Sequence, residues 1–251
     1  MGNPESAYAL RAEGIGKSFG RVKVLKSASM WGESGKVTTL LGRNGAGKTT
    51  LLKIAAGVLR PDYGVISLFG DVRENQSLPR LARSGLMFVP QTQLVSPAYR
   101  VRDHLRALAT TFGSEGIGEA ISEMRIEDLL DQTVRSLSGG ERMRVSLALA
   151  LARAPKVLIV DEPLVRLSPH NQEDVGNSLR TLAEKGAAVI TSGHDARVLL
   201  KISDAIIWCV AGTTHHLGTS TDALAHSQFR REYLGEEGRR TSPSSLPFPP
   251  A

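Results

Sequence analysis

Apolar residues fall in short runs along the first forty positions, at 7–12, 22–25, 28–31 and 37–41. Glycines and polar residues separate these runs, which predicts short β-strands rather than helices. After the last run the spacing changes. Residues 50–56 have helical periodicity and Gly57 stands where a helix is capped. Arg60-Pro61-Asp62-Tyr63-Gly64 reads as a turn into a strand over 65–69, closed by Gly70, and 86–89 is a further buried strand ending at Pro90-Gln91. From 92 to 135 strand patterns vanish. Helical spacing over 101–111 and 119–130, joined by a linker at 113–118, predicts a mostly helical insertion.

The run LSGGERMRVSLALALARAP, residues 137–155, begins with Ser138 as N-cap and Glu141 three positions on, a capping box. The helix behind it is apolar nearly all round (Val145, Leu147, Leu149, Leu151), so burial is expected, and it stops before Pro155. A strand at 157–160 delivers Asp161-Glu162 at its C-terminal end. A helix over 171–185, ended by Gly186, leads to a strand at 187–191 with Gly193-His194-Asp195 beyond it. A helix at 196–201, strands at 205–210 and 213–217 and a helix at 222–233 complete the pattern. From residue 236 the chain turns charged and then rich in Ser and Pro, and 236–251 reads as a disordered tail. Alternating strands and helices predict an α/β fold in a single domain over 1–235, with core 1–91 and 136–235 and helical subdomain 92–135.

Residues 40–52 read LLGRNGAGKTTLL, and Gly42, Gly47, Lys48 and Thr49 fit G-x-x-x-x-G-K-[ST] between a strand and a helix. Glycines let successive backbone N–H groups curl around an anion, and the helix N-terminus adds partial positive charge. Lys48 would reach the β- and γ-phosphates and the Thr49 hydroxyl would complete a Mg²⁺ shell. Asp161 and Glu162 lie at a strand's C-terminal edge, where ligands gather in open α/β sheets. Phosphoryl transfer to water needs a metal, a cationic clamp and an acceptor for the water proton, and adjacent carboxylates can divide those jobs.

Bulk properties narrow the setting. With 41% hydrophobic and 22% charged residues in 251, the chain has the composition of an ordinary globular protein. No apolar run nears the roughly 20 residues needed to span a bilayer. The start, MGNPESAYALRAEG, lacks a basic region followed by an apolar one, so no secretory signal is expected. The net charge of +6 is scattered and aromatics make up 5%, which argues against stacking platforms for single-stranded nucleic acid. Cys209, the only cysteine, sits in an apolar run and reads as a small buried hydrophobe in a reducing compartment.

Taken in order, these motifs resemble an ABC-type ATPase, the nucleotide-binding subunit of an ABC transporter, over residues 8–234. The resemblance implies a P-loop NTPase core of ABC-ATPase type with an antiparallel β subdomain and a helical insertion subdomain. GRNGAGKTT (42–50) matches the Walker A segment, so Gly42, Asn44, Gly45, Ala46, Gly47, Lys48, Thr49 and Thr50 would bind ATP. VLIVDEP (157–163) matches Walker B: Asp161 would hold Mg²⁺ through water and Glu162 would polarise the attacking water. Gln91 matches the Q-loop glutamine, a ligand of Mg²⁺ and water that links core and insertion. His194 matches the switch histidine, a γ-phosphate contact. Phe19, placed in a loop ahead of the phosphate loop, matches the aromatic that stacks on adenine. His104, His170, His215, His216 and His226 match nothing.

LSGGE (137–141) is similar to the family signature, in which Ser138, Gly139 and Gly140 close over nucleotide held by a second subunit. Dimerisation with a second nucleotide-binding subunit is thereby implied. So is a separate membrane-spanning permease, whose coupling helix the insertion receives, and a place on the cytoplasmic face of the membrane. No nucleic-acid partner is expected. FRREYLG (229–235) and the LSGGERMRV run are similar to subunits of lipopolysaccharide-export and branched-chain amino-acid transporters, over short segments only. Two positions depart from the pattern: Ser168 stands where Leu-Asp-Pro is usual, and Arg166 where a small residue is common. That Asp couples the two nucleotide sites, so weaker coupling is expected here, with hydrolysis kept by Glu162 and His194. The alternative is a soluble ATPase of this class acting on ribosomes, DNA or assembly machinery. Such proteins carry paired domains or long coiled coils, and this chain has one domain and no heptads.

Overall fold

Gly14 and Gly16, which follow the first apolar run, do not end its strand. In the computed structural model, which describes residues 8–72, 77–91, 94–165 and 167–235, β1 (Tyr8–Phe19) and β2 (Val22–Glu33) pair antiparallel along their length. Gly14, at φ +58°, forms an irregularity inside β1, and its N–H is taken up by Ser29 Oγ at 2.9 Å. The strands predicted at 22–25 and 28–31 are therefore one. Phe19 lies at the end of a strand rather than in a loop: it pairs with Val22 across a two-residue turn with Gly20 at φ +59°. The tail at 236–251 and Arg166 lie outside the described residues.

Ten strands form one sheet in the order β5-β4-β1-β2-β10-β9-β3-β8-β7-β6. β4 (Tyr63–Leu68) and β5 (Asp71–Val72) extend the antiparallel part. β3 (Val37–Leu41), β6 (Leu86–Val89), β7 (Val157–Val160), β8 (Ala188–Gly193) and β9 (Ala205–Val210) run parallel, and β10 (Thr213–Gly218) turns back along β9. The parallel strands are apolar continuously because both faces are covered. Alternate residues serve opposite cores. Val37, Leu41, Met87, Val89, Leu158 and Val160 face the helices of the insertion and the C-terminal half. Leu40, Leu86, Phe88, Val157 and Ile159 face the antiparallel part and helix α1 (Lys48–Ala55).

A short helix α2 (Leu78–Arg83), which the pattern did not predict, precedes β6. Arg153 holds it by donating to the carbonyls of Ala82 and Leu86, and its guanidinium lies 4.8 Å from the Phe112 ring. The insertion contains α3 (Val101–Phe112) and α4 (Ile117–Glu123), and both pack on α5 (Gly139–Arg153). The helix predicted over 119–130 is broken at Arg125, at φ +50°, where Arg144 caps the carbonyl of Arg125 at 2.8 Å. Backbone bonds such as Val101 N–H to Gln132 and Val134 N–H to Tyr99 close the neck of the insertion.

α6 (Pro169–Glu184) and α7 (Ala196–Ile202) cover the same face. The helix predicted over 222–233 is divided into α8 (Ser220–Ala225), α9 (Ser227–Phe229) and a π-turn (Arg230–Leu234). His226 makes the break: its backbone is extended and its Nδ1 accepts the Phe229 N–H at 3.2 Å. Cys209 is buried, as predicted, and burial pushes its thiol up to about 12. Among the described residues no helix is long and apolar enough to cross a membrane.

Gly64 is where the antiparallel part tolerates no side chain. At φ +104°, a Cβ would stand 2.7 Å from the Glu13 carbonyl oxygen and 2.8 Å from that of Gly14. Gly64→Ala is expected to destabilise the protein by about 1–3 kcal/mol, measured as a lowered midpoint in denaturant unfolding.

Candidate functional site

The parallel register converges the functional residues. Leu40 pairs with Ser192 and Leu41 with Gly193, while Val160 pairs with Val89 on one side and Thr191 on the other. The ends of β3, β6, β7 and β8 thus bring the phosphate loop, Gln91, Asp161-Glu162 and His194 to one edge. Gly45 and Gly47 adopt φ of +82° and +101°, conformations that a side chain would resist. Gly47 also leaves no room for a Cβ, which would fall 2.6 Å from Leu25. Asn44 to Thr50 line a pocket of about 480 Å³ whose opposite wall includes Gln91 and Glu162.

Lys48 is 3% exposed and its ammonium donates to the Gly42 carbonyl at 2.8 Å and the Arg43 carbonyl at 3.3 Å. The same nitrogen lies 3.4 Å from Glu162 Oε1. Glu162 Oε2 accepts from Gln91 Nε2 at 3.1 Å and lies 3.8 Å from His194 Nδ1. One carboxylate therefore meets the Lys48 ammonium, the Gln91 amide and the His194 imidazole. Its backbone is at φ +47°, a left-handed conformation that costs about 1–3 kcal/mol outside glycine and is held by neighbours.

The main neighbour is Ser192, which the sequence reading missed. Its hydroxyl donates to Asp161 Oδ1 at 2.7 Å and accepts the Glu162 N–H at 3.0 Å. Thr49 Oγ1 also donates to Asp161 Oδ1, at 3.2 Å. Asp161 is 1% exposed and its other oxygen, Oδ2, has no hydrogen-bond partner among the described residues. An unpaired buried carboxylate oxygen beside a threonine hydroxyl fits a cation ligand. The signal for Ser192 was present: a Thr191-Ser192 pair closes a strand that begins apolar, with Ser192 two positions before His194.

Two predicted groups stand apart from this pocket. Phe19 is 48% exposed and takes no part in the lining of the phosphate-loop pocket; its ring faces Lys17 Nζ at 5.8 Å. Ser138 and Gly139 are exposed, and neither they nor Gly140 line that pocket. Gly139 instead borders a groove of about 580 Å³, shared with Gln91 and Glu162. The capping box forms as predicted. Ser138 N–H donates to Glu141 Oε2 at 2.7 Å and Glu141 N–H to Ser138 Oγ at 3.3 Å. Gly140 packs against Asn171 at the start of α6, where its absent Cβ would meet Asn171 Nδ2 at 3.0 Å.

A glycine loop opening into a helix, with paired carboxylates and a histidine on the same sheet edge, has the layout of a P-loop nucleoside-triphosphatase. The model of the ABC transporter family matches residues 25–165. The chain is 32% identical over 235 residues to the lipopolysaccharide export system ATP-binding protein LptB of Haemophilus influenzae, covering 91% of this chain and 98% of that protein. It is also 32% identical over 237 residues to LptB of Escherichia coli K12, covering 92% and 98%. Its fold matches a nucleotide-free ATP-binding cassette from an ABC transporter (TM-score 0.81, 24% identity, 91% of this chain and 100% of that one). It also matches cbiO1 of Clostridium perfringens, part of the ABC transporter complex cbiONQ (TM-score 0.76, 26% identity, 90% and 94%). The chain belongs to the ABC transporter family, as an ATP-binding and ATP-hydrolysing subunit.

The capping box carries a pH signature. Hydrogen bonds from the Ser138 side chain and backbone hold the Glu141 carboxyl below its ordinary value of 4.5. A depressed folded value contributes stability above the unfolded pKa and loses it as pH falls through the folded one. Glu141→Gln is therefore expected to lower stability at pH 7, and the difference from wild type to shrink as pH falls below the ordinary carboxylate range, read from urea unfolding across the acid range.

Proposed function

We propose that Glu162 is the general base of ATP hydrolysis and that Lys48, Thr49, Asp161, Gln91 and His194 form its site. The observation that carries this reading is the position of Glu162 between Lys48, Gln91 and His194 at the mouth of the phosphate loop. Glycine-loop N–H groups and Lys48 would cradle the phosphates of ATP. The Asp161 and Thr49 oxygens and the carbonyl oxygen of Gln91 fit a divalent cation, and Mg²⁺, when bound, supplies charge neutralisation at the phosphates. Glu162 would take the proton of the water whose oxygen bonds the γ-phosphorus as the β–γ bridging P–O bond breaks. The His194 imidazole would donate to the terminal phosphate and orient it.

The working unit of this proposal is a pair of such subunits, with Ser138, Gly139 and Gly140 of one closing on nucleotide held by the other. The exposure of Ser138 and Gly139, and the separation of all three from this chain's own phosphate-loop pocket, support that arrangement. We further propose that residues 1–235 act as one domain in which 92–135 transmits movement to a membrane permease. The groove beside Gln91 supports this: Leu94, Val95 and Met143 provide apolar floor, and Arg135 and Arg142 provide charge for a short amphipathic helix. The chain would then sit on the cytoplasmic face of the membrane. Co-purification of a permease with the full chain from solubilised membranes tests the assignment, and recovery on ribosomes without membrane protein would overturn it.

Glu162→Gln is expected to keep ATP binding and to lower kcat by about 10²–10⁴-fold, measured by phosphate release from the assembled complex. Ser168 caps α6, its Oγ accepting the Asn171 N–H at 3.4 Å. Aspartate caps a helix equally well, so Ser168→Asp is expected to leave the melting temperature unchanged. It should raise ATPase activity of the assembled complex by restoring a charge between the sites; unchanged activity would count against that role.

A further inference from the structure

The C-terminal turn reaches back to the nucleotide site. Phe229, fully buried, packs edge-on against Trp208 of β9 with centroids 5.7 Å apart, and the Tyr233 ring stacks on Phe229 at 5.0 Å. This aromatic column carries the turn to the sheet edge where β3 and β8 end. There the Tyr233 hydroxyl donates to the backbone carbonyl of His194 at 2.9 Å. One residue earlier, the Glu232 carbonyl accepts from the Arg43 guanidinium at 2.6 Å. Burial pushes the Tyr233 phenol above its ordinary pKa, partly offset by a hydrogen bond with the Gly42 backbone, so it remains a donor throughout the physiological range. The turn therefore grips the first residues of the phosphate loop and the switch residue together.

The His194 side chain itself is loosely held. It is 47% exposed, and the contact that positions it toward the site is the 3.8 Å approach to Glu162. Its backbone is tied more firmly, by Gly42 N–H to the Gly193 carbonyl at 3.3 Å and by Tyr233 to its own carbonyl. A side chain that must meet a phosphate oxygen in one orientation depends on such backbone anchors, since small displacements of a reacting group cost large factors in rate.

We propose that Tyr233 is a positioning residue for His194: its hydroxyl fixes the switch-loop backbone against the phosphate loop, so that the imidazole faces the terminal phosphate of ATP. The inference rests on the reading of His194 as a γ-phosphate contact. It assigns the C-terminal segment a part in the rate of hydrolysis, separate from nucleotide affinity.

The test is a double-mutant cycle on the full chain with steady-state ATPase kinetics, using wild type, Tyr233→Phe, His194→Ala and the double variant. Phenylalanine keeps the stack on Phe229 and removes only the hydroxyl, and Trp208 fluorescence with a melting curve reports whether the turn stays docked. Tyr233→Phe is expected to lower kcat about five- to tenfold, the rate equivalent of one lost hydrogen bond, with KM for ATP within about twofold of wild type. In the His194→Ala background it should lower kcat no further. An unchanged kcat in Tyr233→Phe, or the same loss in both backgrounds, would overturn the proposal while leaving the role of His194 standing. If His194→Ala itself leaves kcat unchanged, the reading of His194 fails and the proposal with it.

Discussion

A carboxylate buried as deeply as Asp161 must have its charge answered, and the rest of the site is arranged around that requirement. Two hydroxyls, from Thr49 and Ser192, bond one oxygen and leave the other free of any partner among the described residues. Such a group costs several kcal/mol unless a cation or proton completes it. The hydroxyls come from the first turn of α1, beyond β3, and from the end of β8, so the arrangement exists only if β3, β7 and β8 hold their register. Buried apolar alternation enforces that register: a one-residue slip would turn Leu158 and Val160 from the helical core to the opposite one.

Glu162 inherits its position from the same hydroxyl. Ser192 binds its backbone N–H and holds the residue in a left-handed conformation that neither glycine nor asparagine is present to ease. The strained backbone presents the carboxylate to Lys48, Gln91 and His194 at once. Those three arrive from separate segments (the phosphate loop, the end of β6 and the end of β8), which makes Glu162 the point where changes in any of them are felt. Gln91 also borders the groove beside the insertion, so a partner seated there would act on the same carboxylate through one side chain.

The insertion and the C-terminal turn attach to this centre by different means. The helices of the insertion share a continuous apolar core with the parallel strands through α5, a broad and non-directional attachment. The C-terminal turn is held by an aromatic stack and directional bonds to Arg43 and His194. The first couples through shape, the second through specific atoms.

Local pattern by itself determined the α/β class, the phosphate loop, the capped signature helix and the strand ends that carry Gln91, Asp161 and His194. Each is written in consecutive residues: a glycine spacing, a capping box, an apolar run followed by a polar pair. Periodicity also misled at definable places. It ended β1 and β2 at glycines and polar residues that long-range pairing overrides, and it ran helices through Arg125 and His226, whose breaks depend on partners at Arg144 and Phe229. Tertiary structure alone decided the join of Ser192 to Asp161, the meeting of Lys48, Gln91 and His194 at Glu162 and the return of Tyr233 to His194. These contacts link residues 31 to 114 positions apart. They follow from strand order and register, which no local spacing encodes.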